Sequence, residues 1–291
     1  MNICPICGHS THQKWPMYYE FESQCFDLLQ CISCRIGFVS PQPDEKTIVR
    51  MYSKDYFESD FRCGHEDASA FNKKTDPVLP DWTEQVHLQP ESSVLEIGCA
   101  TGYTLKAFHD AGHHVKGIEI SEDAARHARD VYRLDVDTMA VHQAQFSSEK
   151  FDLIYLLDVF EHLTDPVLLL KQAYQWLKPG GTLVIVIPTQ TNTLFSRFGM
   201  TLFSLAGKRT RIHMPPYHLF EYRPSSVRRL LLNHGFSKID MKPVIMKPGE
   251  IGLRSSVVQN TAKYVFQCLN YPLTKLSGRF GDRLTIIAVK S

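Results

Sequence analysis

The sequence predicts an α/β protein: a doubly wound, mostly parallel sheet preceded by a small cysteine-stapled ribbon. Three observations carry that prediction. From Ser92 onward, apolar β-branched runs alternate with amphipathic helical stretches. A glycine turn, SSVLEIGCATGYTL (92–105), joins the first of these strands to the first helix. Two C-x2-C pairs, CPIC and CISC, lie within the first 34 residues.

Composition narrows the function classes. The chain has 291 residues, enough for one substantial core and a small accessory module. With 43% apolar and 22% charged residues it reads as a folded globular protein. A net charge of +1 gives no support to a polyanionic partner held by bulk electrostatics. The most apolar segments, FDLIYLLDVF and TLVIVIP, are short enough to be buried strands, so no transmembrane segment is expected. MNICPICGHS lacks the basic and apolar regions of a secretory signal, and the expected location is the cytoplasm. Disulfides do not persist there, so clustered cysteines point to metal.

Three regions follow in chain order. Residues 1–45 carry the cysteine pairs and little that could form a core. Residues 46–90 are a polar connector with proline breaks and the aromatics Tyr52, Tyr56, Phe57 and Phe61. Residues 91–291 form the main domain. In it SVLEIG is a strand, and TGYTLKAFHDAG places Leu105 and Phe108 on one helical face with Gly112 closing it. HVKGIEI is a second strand, after which Ser121 caps a helix carrying Glu122 and Asp123 in its first turn. FDLIYLLD reads as a buried parallel strand. Asp165 and Pro166 then open a helix whose positions 169, 170, 173, 176 and 177 share one face, with Gly180 and Gly181 ending it. TLVIVIP follows as a strand. Residues 190–222 interrupt the pattern with an apolar and basic insert. Its apolar positions include 194, 195, 198, 202, 203 and 205, with basic residues at 208, 209 and 211. A substrate lid, a membrane-surface helix, a dimer contact and a helix packed on the sheet's edge all remain open for it. RPSSVRRLLLNHGF restores a helix, and DRLTIIAVK is a final strand.

The glycine turn decides the ligand class. A dinucleotide fingerprint, G-x-G-x-x-G laid on Gly98, would need glycines where the chain has Ala100 and Tyr103. The phosphate loop G-x-x-x-x-G-K-[ST] is absent. Glu96 near the end of the strand would repel a phosphate and suit a cation. Glu119 ends the second strand, where an acid can take both ribose hydroxyls. A positively charged nucleoside without phosphate satisfies all four constraints, and S-adenosylmethionine fits best.

VLEIGCATG also resembles the first motif of class I S-adenosylmethionine-dependent methyltransferases, usually [DE]-x-G-x-G-x-G. The resemblance continues in order through GIEIS, FDLIYLLDVFEHLTDP and LKPGGTLVIVIP, covering roughly residues 92–190, and more loosely through HLFEYRPSSVRRLLLNHGF. It implies a Rossmann-like sheet and a cofactor set of Glu96, Gly98, Cys99, Ala100, Gly102, Glu119, Ile120 and Asp158. In that set Glu96, Gly98, Gly102 and Asp158 serve the methionine end and Glu119 the ribose, with Met139–Val141 bordering the adenine. One departure stands out: the family's middle glycine is Ala100, which costs about 1 kcal/mol if its φ is positive.

Cys4, Cys7, Cys31 and Cys34 have the spacing of a structural Zn2+ site in which two knuckles close four thiolates around the ion. A redox dithiol would sit at a strand–helix junction in a βαβ setting, which this segment lacks. With all four positions filled, no activated water remains, so this zinc carries no chemistry. Ribbon-bearing methyltransferases with GFVSPQP-like and YSKDYF-like segments resemble those acting on sugars, quinones and other natural products.

Methyl transfer to a hydroxyl needs positioning and a base. DVFEHL sets Glu161 and His162 just after a strand whose carboxyl end faces the cofactor crevice. His162 is the expected base, with Glu161 beside it; His218 in PPYHLFEY is second. MPPY (214–217) looks like the motif that grips exocyclic amines, but that motif belongs directly after the fourth strand, where this chain has LDVFEH. The expected function is therefore O-methylation of a small-molecule acceptor. One rival is an RNA methyltransferase using the ribbon to grip RNA, against which stand the neutral charge and a ribbon with only Lys14 and Arg35 among basic residues. The other is a non-catalytic binding module with the cofactor turn degenerate at Ala100.

Overall fold

The computed structural model describes residues 3–51, 77–212, 215–248 and 257–291. The connector aromatics Tyr52, Tyr56, Phe57 and Phe61 lie outside the described residues, as does Met214 of MPPY.

Strands β1 (His12–Phe21) and β2 (Gln24–Cys31) form an antiparallel hairpin. Its turn residues Glu22 and Ser23 both have positive φ, as a two-residue type I′ turn requires. β3 (Gly37–Ser40) pairs antiparallel with β2, and helix α1 (Glu45–Met51) begins where the Asp44 carboxylate accepts the Thr47 N–H at 2.8 Å. A 3-10 turn at Asp81–Gln85 buries Trp82.

Strand–helix alternation then starts with β4 (Ser93–Ile97), α2 (Tyr103–Asp110), β5 (His114–Glu119) and α3 (Glu122–Tyr132). It continues through β6 (Val136–Thr138), β7 (Phe151–Leu157), α4 (Pro166–Trp176) and β8 (Leu177–Pro188). The helix starts are those expected. Ser121 Oγ accepts the Ala124 N–H at 3.4 Å, and Asp165 Oδ1 accepts the Leu168 N–H at 2.8 Å ahead of Pro166. The face of α4 buries Leu169, Leu170, Ala173 and Trp176. Gly180 and Gly181 do not end α4. They lie inside β8, where the pairing with β7 shifts register between Phe151 and Leu153, and a Cβ on Gly181 would meet the Lys178 carbonyl at 2.8 Å.

Helix α5 (Leu194–Leu205), capped by Thr193, and short strands β9 (Thr210–Ile212) and β10 (Phe220–Glu221) come from the insert. Helix α6 (Pro224–Leu232), strand β11 (Phe236–Val244), helix α7 (Val257–Ser277) and strand β12 (Arg283–Lys290) follow. Nothing in the apolar periodicity announced α7.

The strands sort into two sheets. Seven are ordered β11-β12-β8-β7-β4-β5-β6, and β4 to β8 run parallel. This is the doubly wound, Rossmann-like architecture. From β4 the chain builds outward to β5 and β6, then returns to lay β7 and β8 on the other side. The strand order thus reverses between β4 and β7, and a crevice opens outside their carboxyl ends. Trp82, Phe108, Leu153, Tyr155, Val184 and Ile287 fill the core beneath.

The other sheet is ordered β10-β3-β2-β1-β9, with β9 parallel to β1 and β10 antiparallel to β3. Residues 12–40 therefore have a core, contrary to the expectation of little there: Phe26, Leu28 and Val39 are 0% exposed, beside Trp15 and Tyr19. Met200 of α5 and Ile212 of β9 pack against it. The two sheets belong to separate compact units that interleave along the chain. One draws on described residues within 1–74, 188–223 and 243–284, the other on 75–187, 224–242 and 285–291.

Candidate active site

Three of the parallel strands end in or near an acid: Glu96 on β4, Glu119 on β5 and Asp158 just past β7. Strand register explains how Glu96 is kept. It lies opposite Tyr155 in the β4–β7 pairing, and the Tyr155 hydroxyl donates to Glu96 Oε2 at 2.8 Å. Glu96 is 3% exposed, so this donor stabilises a carboxylate that burial opposes. Burial and the adjacent carboxylate in turn push the Tyr155 hydroxyl well above its ordinary pKa, leaving it a donor. Tyr155 escaped the sequence reading because it looked like one more apolar position of a buried strand. The registered partner 59 residues away is what gives it a role.

The turn after β4 satisfies its own donors. The N–H groups of Gly98 and Cys99 donate to the Ile118 carbonyl at 2.7 and 3.1 Å, and that of Gly102 donates to the Cys99 carbonyl at 2.8 Å. The Ala100 N–H donates to Glu119 Oε2 at 2.8 Å, while Glu119 Oε1 accepts the Ser121 N–H at 2.8 Å. Glu119 therefore links the turn to the end of β5. Burial raises its pKa, with the Ser121 and Ala100 N–H groups opposing.

Three turn residues have positive φ: Gly98 at 74°, Ala100 at 46° and Gly102 at 81°. A Cβ on Gly98 would come within 2.4 Å of the Val159 side chain, so glycine is needed there for space as well as for φ. Ala100 carries the methyl in the conformation that costs it. Cys99 turns its side chain inward among Leu105, Ala125, Ala128, Leu134 and Val136. Burial and the charges of Glu96 and Glu119 push its thiol up, which makes it a packing residue and not a nucleophile. Ile120, in contrast, is exposed next to Glu119. The Met139 N–H donates to the Glu119 carbonyl at 2.9 Å, bringing the Met139–Val141 segment to the end of β5.

Past β7, Asp158 has a φ of 54°, an αL conformation that Asp tolerates better than most residues, and its N–H donates to the Val186 carbonyl at 2.9 Å. A 3-10 turn at Phe160–His162 follows. It buries Glu161 to 1% exposure, and His162 Nε2 stands 3.6 Å from Glu161 Oε1. His218 belongs to the other compact unit, where its Nδ1 is 3.9 Å from Glu221 Oε1 and Glu221 Oε2 accepts the Thr191 hydroxyl at 3.0 Å.

The four cysteines also come together. Cys4 and Cys34 Sγ are 3.7 Å apart, Cys7 and Cys31 Sγ are 3.5 Å apart, and all four sulfurs lie within 4.8 Å of one another. All are free thiols. A tetrahedron with metal–sulfur bonds of about 2.3 Å has sulfur–sulfur edges of about 3.8 Å. Each pair ends in the same turn: the Gly8 N–H donates to the Cys4 carbonyl at 2.9 Å and the Arg35 N–H to the Cys31 carbonyl at 3.0 Å. Gly8 and Arg35 both have positive φ. Sharing a proton with Cys34 lowers the Cys4 thiol to about 5 and raises that of Cys34.

Residues 71–240 match the family model described as a methyltransferase domain. The chain is 29% identical over 115 residues to a ubiquinone biosynthesis O-methyltransferase of Hydrogenovibrio crunogenus (strain DSM 25203 / XCL-2), covering 37% of this chain and 47% of that one. It is 26% identical over 182 residues to the ubiquinone biosynthesis O-methyltransferase of Azoarcus sp. (strain BH72), covering 59% and 76%. It thus spans about half the length of the first relative and three-quarters of the second. Among solved structures, Haemonchus contortus phosphoethanolamine N-methyltransferase 2 in complex with S-adenosyl-L-methionine superposes with a TM-score of 0.53 at 16% identity, covering 87% of this chain and 62% of that one. That likeness is one of fold.

Proposed function

This chain belongs to the methyltransferase family whose model it matches over residues 71–240, and on that premise we propose that it methylates a hydroxyl oxygen of a small-molecule acceptor, of sugar, quinone or natural-product type. It is an S-adenosylmethionine-dependent methyltransferase. The acceptor class draws support from the two ubiquinone O-methyltransferases it resembles.

The cofactor reading rests on one observation: the N–H groups of Gly98, Cys99, Ala100 and Gly102 all donate within the protein. A phosphate-binding turn keeps such groups pointed at its ligand. Here the turn offers carboxylates, which fit a sulfonium and an ammonium. Glu96 and Asp158 hold the positive charge, Glu119 accepts from the ribose, and exposed Ile120 offers the adenine an apolar contact. Bound there, S-adenosylmethionine supplies an electrophilic methyl group on a cationic sulfur. His162 takes the acceptor's hydroxyl proton on its ring, and the neighbouring Glu161 favours the imidazolium that results. His218 is the second candidate for that proton. Cys4, Cys7, Cys31 and Cys34 would hold a structural zinc, and four thiolate ligands would leave it no open position for chemistry.

Titration calorimetry with S-adenosylmethionine and, separately, NAD tests the cofactor reading. Micromolar affinity for the first and none for the second is expected. Comparable NAD binding would overturn it. In an acceptor screen, His162→Ala should lower kcat by about 10²–10⁴ with little change in cofactor affinity. A variant as active as the parent would pass the role to His218, tested by His218→Ala.

A further inference from the structure

Helices α5 and α7 present their apolar residues to solvent. On α5, Leu194, Phe198, Leu202 and Leu205 are exposed, and their spacing of four, four and three residues puts them on one stripe. Met200, on a different side of the helix, packs toward the five-stranded sheet. α7 is inverted even more plainly: its inward side chains are polar and its outward ones apolar. Asn270 Nδ2 and the Thr274 hydroxyl donate to the Phe280 carbonyl at 3.1 and 3.3 Å. Gln267 Nε2 donates to the Met246 carbonyl at 2.7 Å and to Asp282 Oδ2 at 2.8 Å. Val265, Phe266, Leu269 and Leu276 are exposed. The helices meet through the Phe195 and Phe266 rings, 4.5 Å apart, and each ring borders its helix's exposed stripe. The two stripes form one apolar face in a single compact unit.

Charge identifies what covers that face. The chain as a whole is nearly balanced, with 32 basic and 31 acidic residues. Yet residues 190–212 and 251–281, which contain both helices, hold no Asp or Glu. They do contain Arg197, Lys208, Arg209 and Arg211 in the first stretch, and Lys275 and Arg279 at the end of α7. Arg209 and Arg211 are paired with Asp27 and Glu20, while Lys208, Lys275 and Arg279 are exposed, each within three residues of Leu205 or Leu276 in the chain. Docking this face on its copy in a second chain would set the like charges of these two stretches together, with no acid within either stretch to answer them. An anionic bilayer supplies both what the apolar stripe and what its basic border require.

We propose that α5 and α7 form a membrane-surface docking face that lies on anionic lipid with its leucines and phenylalanines in the headgroup–acyl boundary. Among the described residues no helix is long and apolar enough to cross a membrane, so the attachment is to one surface. This inference does not depend on which acceptor the enzyme methylates.

The test is co-flotation of the full chain with vesicles of phosphatidylcholine alone or with about 30% phosphatidylglycerol. Binding to the anionic vesicles should exceed binding to the neutral ones and weaken as salt rises from about 0.1 to 0.5 M. Leu205 and Leu276 are 81% and 90% exposed, so Leu205→Glu and Leu276→Glu should fold normally, with an unchanged Tm in lipid-free buffer. Together they should cut the partition coefficient by at least about tenfold. Equal recovery with both vesicle types, or full binding by the double variant, would overturn the proposal. So would a lipid-free dimer, seen by sedimentation, that the same two substitutions dissolve, because the face would then belong to a second copy.

Discussion

Ala100 holds its methyl group at a φ of 46°, where the family pattern places a glycine. The cost expected from the sequence is therefore present, about 1 kcal/mol, and the turn closes in spite of it because Glu119 accepts the Ala100 N–H. Ala100→Gly should raise unfolding stability by about 0.5–1 kcal/mol, the relief of strain exceeding the added unfolded-state entropy. Gly102 gives the opposite sign. At a φ of 81° a new Cβ would sit 2.8 Å from both Ala128 Cβ and Leu134 Cδ1, and Gly102→Ala should lose about 2 kcal/mol or more. Urea titrations of both variants measure the pair, and a stabilised Gly102→Ala would show the turn to be built differently. Glu119 adds a pH dependence. Burial raises its folded pKa above its unfolded one, so the stability it contributes is complete below the unfolded value and is lost as pH rises through the folded value. On the proposed role of Glu119 toward the ribose, the ionised carboxylate is the better acceptor for two hydroxyls, so cofactor affinity runs the other way and weakens as pH falls through that raised value. Calorimetry at pH values stepped upward from the ordinary carboxylate range should show this slope in the parent protein and not in Glu119→Gln, which should bind about tenfold more weakly throughout. A parent affinity flat across those pH values would separate Glu119 from the ribose.

The structural elements differ in how plainly the sequence announces them. α3 and α4 were legible to the residue at their starts, because Ser121 and Asp165 make contacts within three residues of themselves. The β1–β2 turn was not, since Glu22 and Ser23 adopt positive φ without the Asn-Gly or Asp-Gly signature that such turns favour. α7 escaped for a different reason: with Gln267, Asn270 and Thr274 inward, a search for a buried apolar stripe looks at the wrong side of the helix. The cysteine knuckles were legible from spacing alone, but the strands they flank have a core that the same segment was not expected to hold. That core sets what metal removal should do. Chelation or Cys31→Ser should abolish binding of about one zinc per chain and raise amide exchange in 3–11 and 31–36. β1 and β2 should stay protected by Trp15, Tyr19 and Phe26. Exchange mass spectrometry with metal analysis checks both, and a chain that carries no zinc when grown in its presence would end the assignment.

At the scale of the whole molecule, the seven-stranded sheet could be read because β4, β5 and β7 are each followed by a helix of the same compact unit. The other sheet could not, because its β1–β9 ladder joins Met17 to Thr210 and Tyr19 to Ile212. No local pattern announces a partner so far along the chain. The acids of the candidate site were found because each ends a strand; Tyr155 was missed because its role depends on register. The interleaved chain path has a further consequence, for biosynthesis. β12 lies between β11 and β8, yet it leaves the ribosome after every other strand of this sheet. Until residues 283–290 are delivered, β8 keeps an open edge and β11 has no place in the sheet. A nascent chain halted before Arg283 therefore exposes strand edges that invite aggregation, and a stop codon there removes an inner strand, not a tail. Nor does any contiguous stretch of the gene encode either unit. Isolating the one that holds the seven-stranded sheet would require joining residue 187 to 224 and 242 to 285.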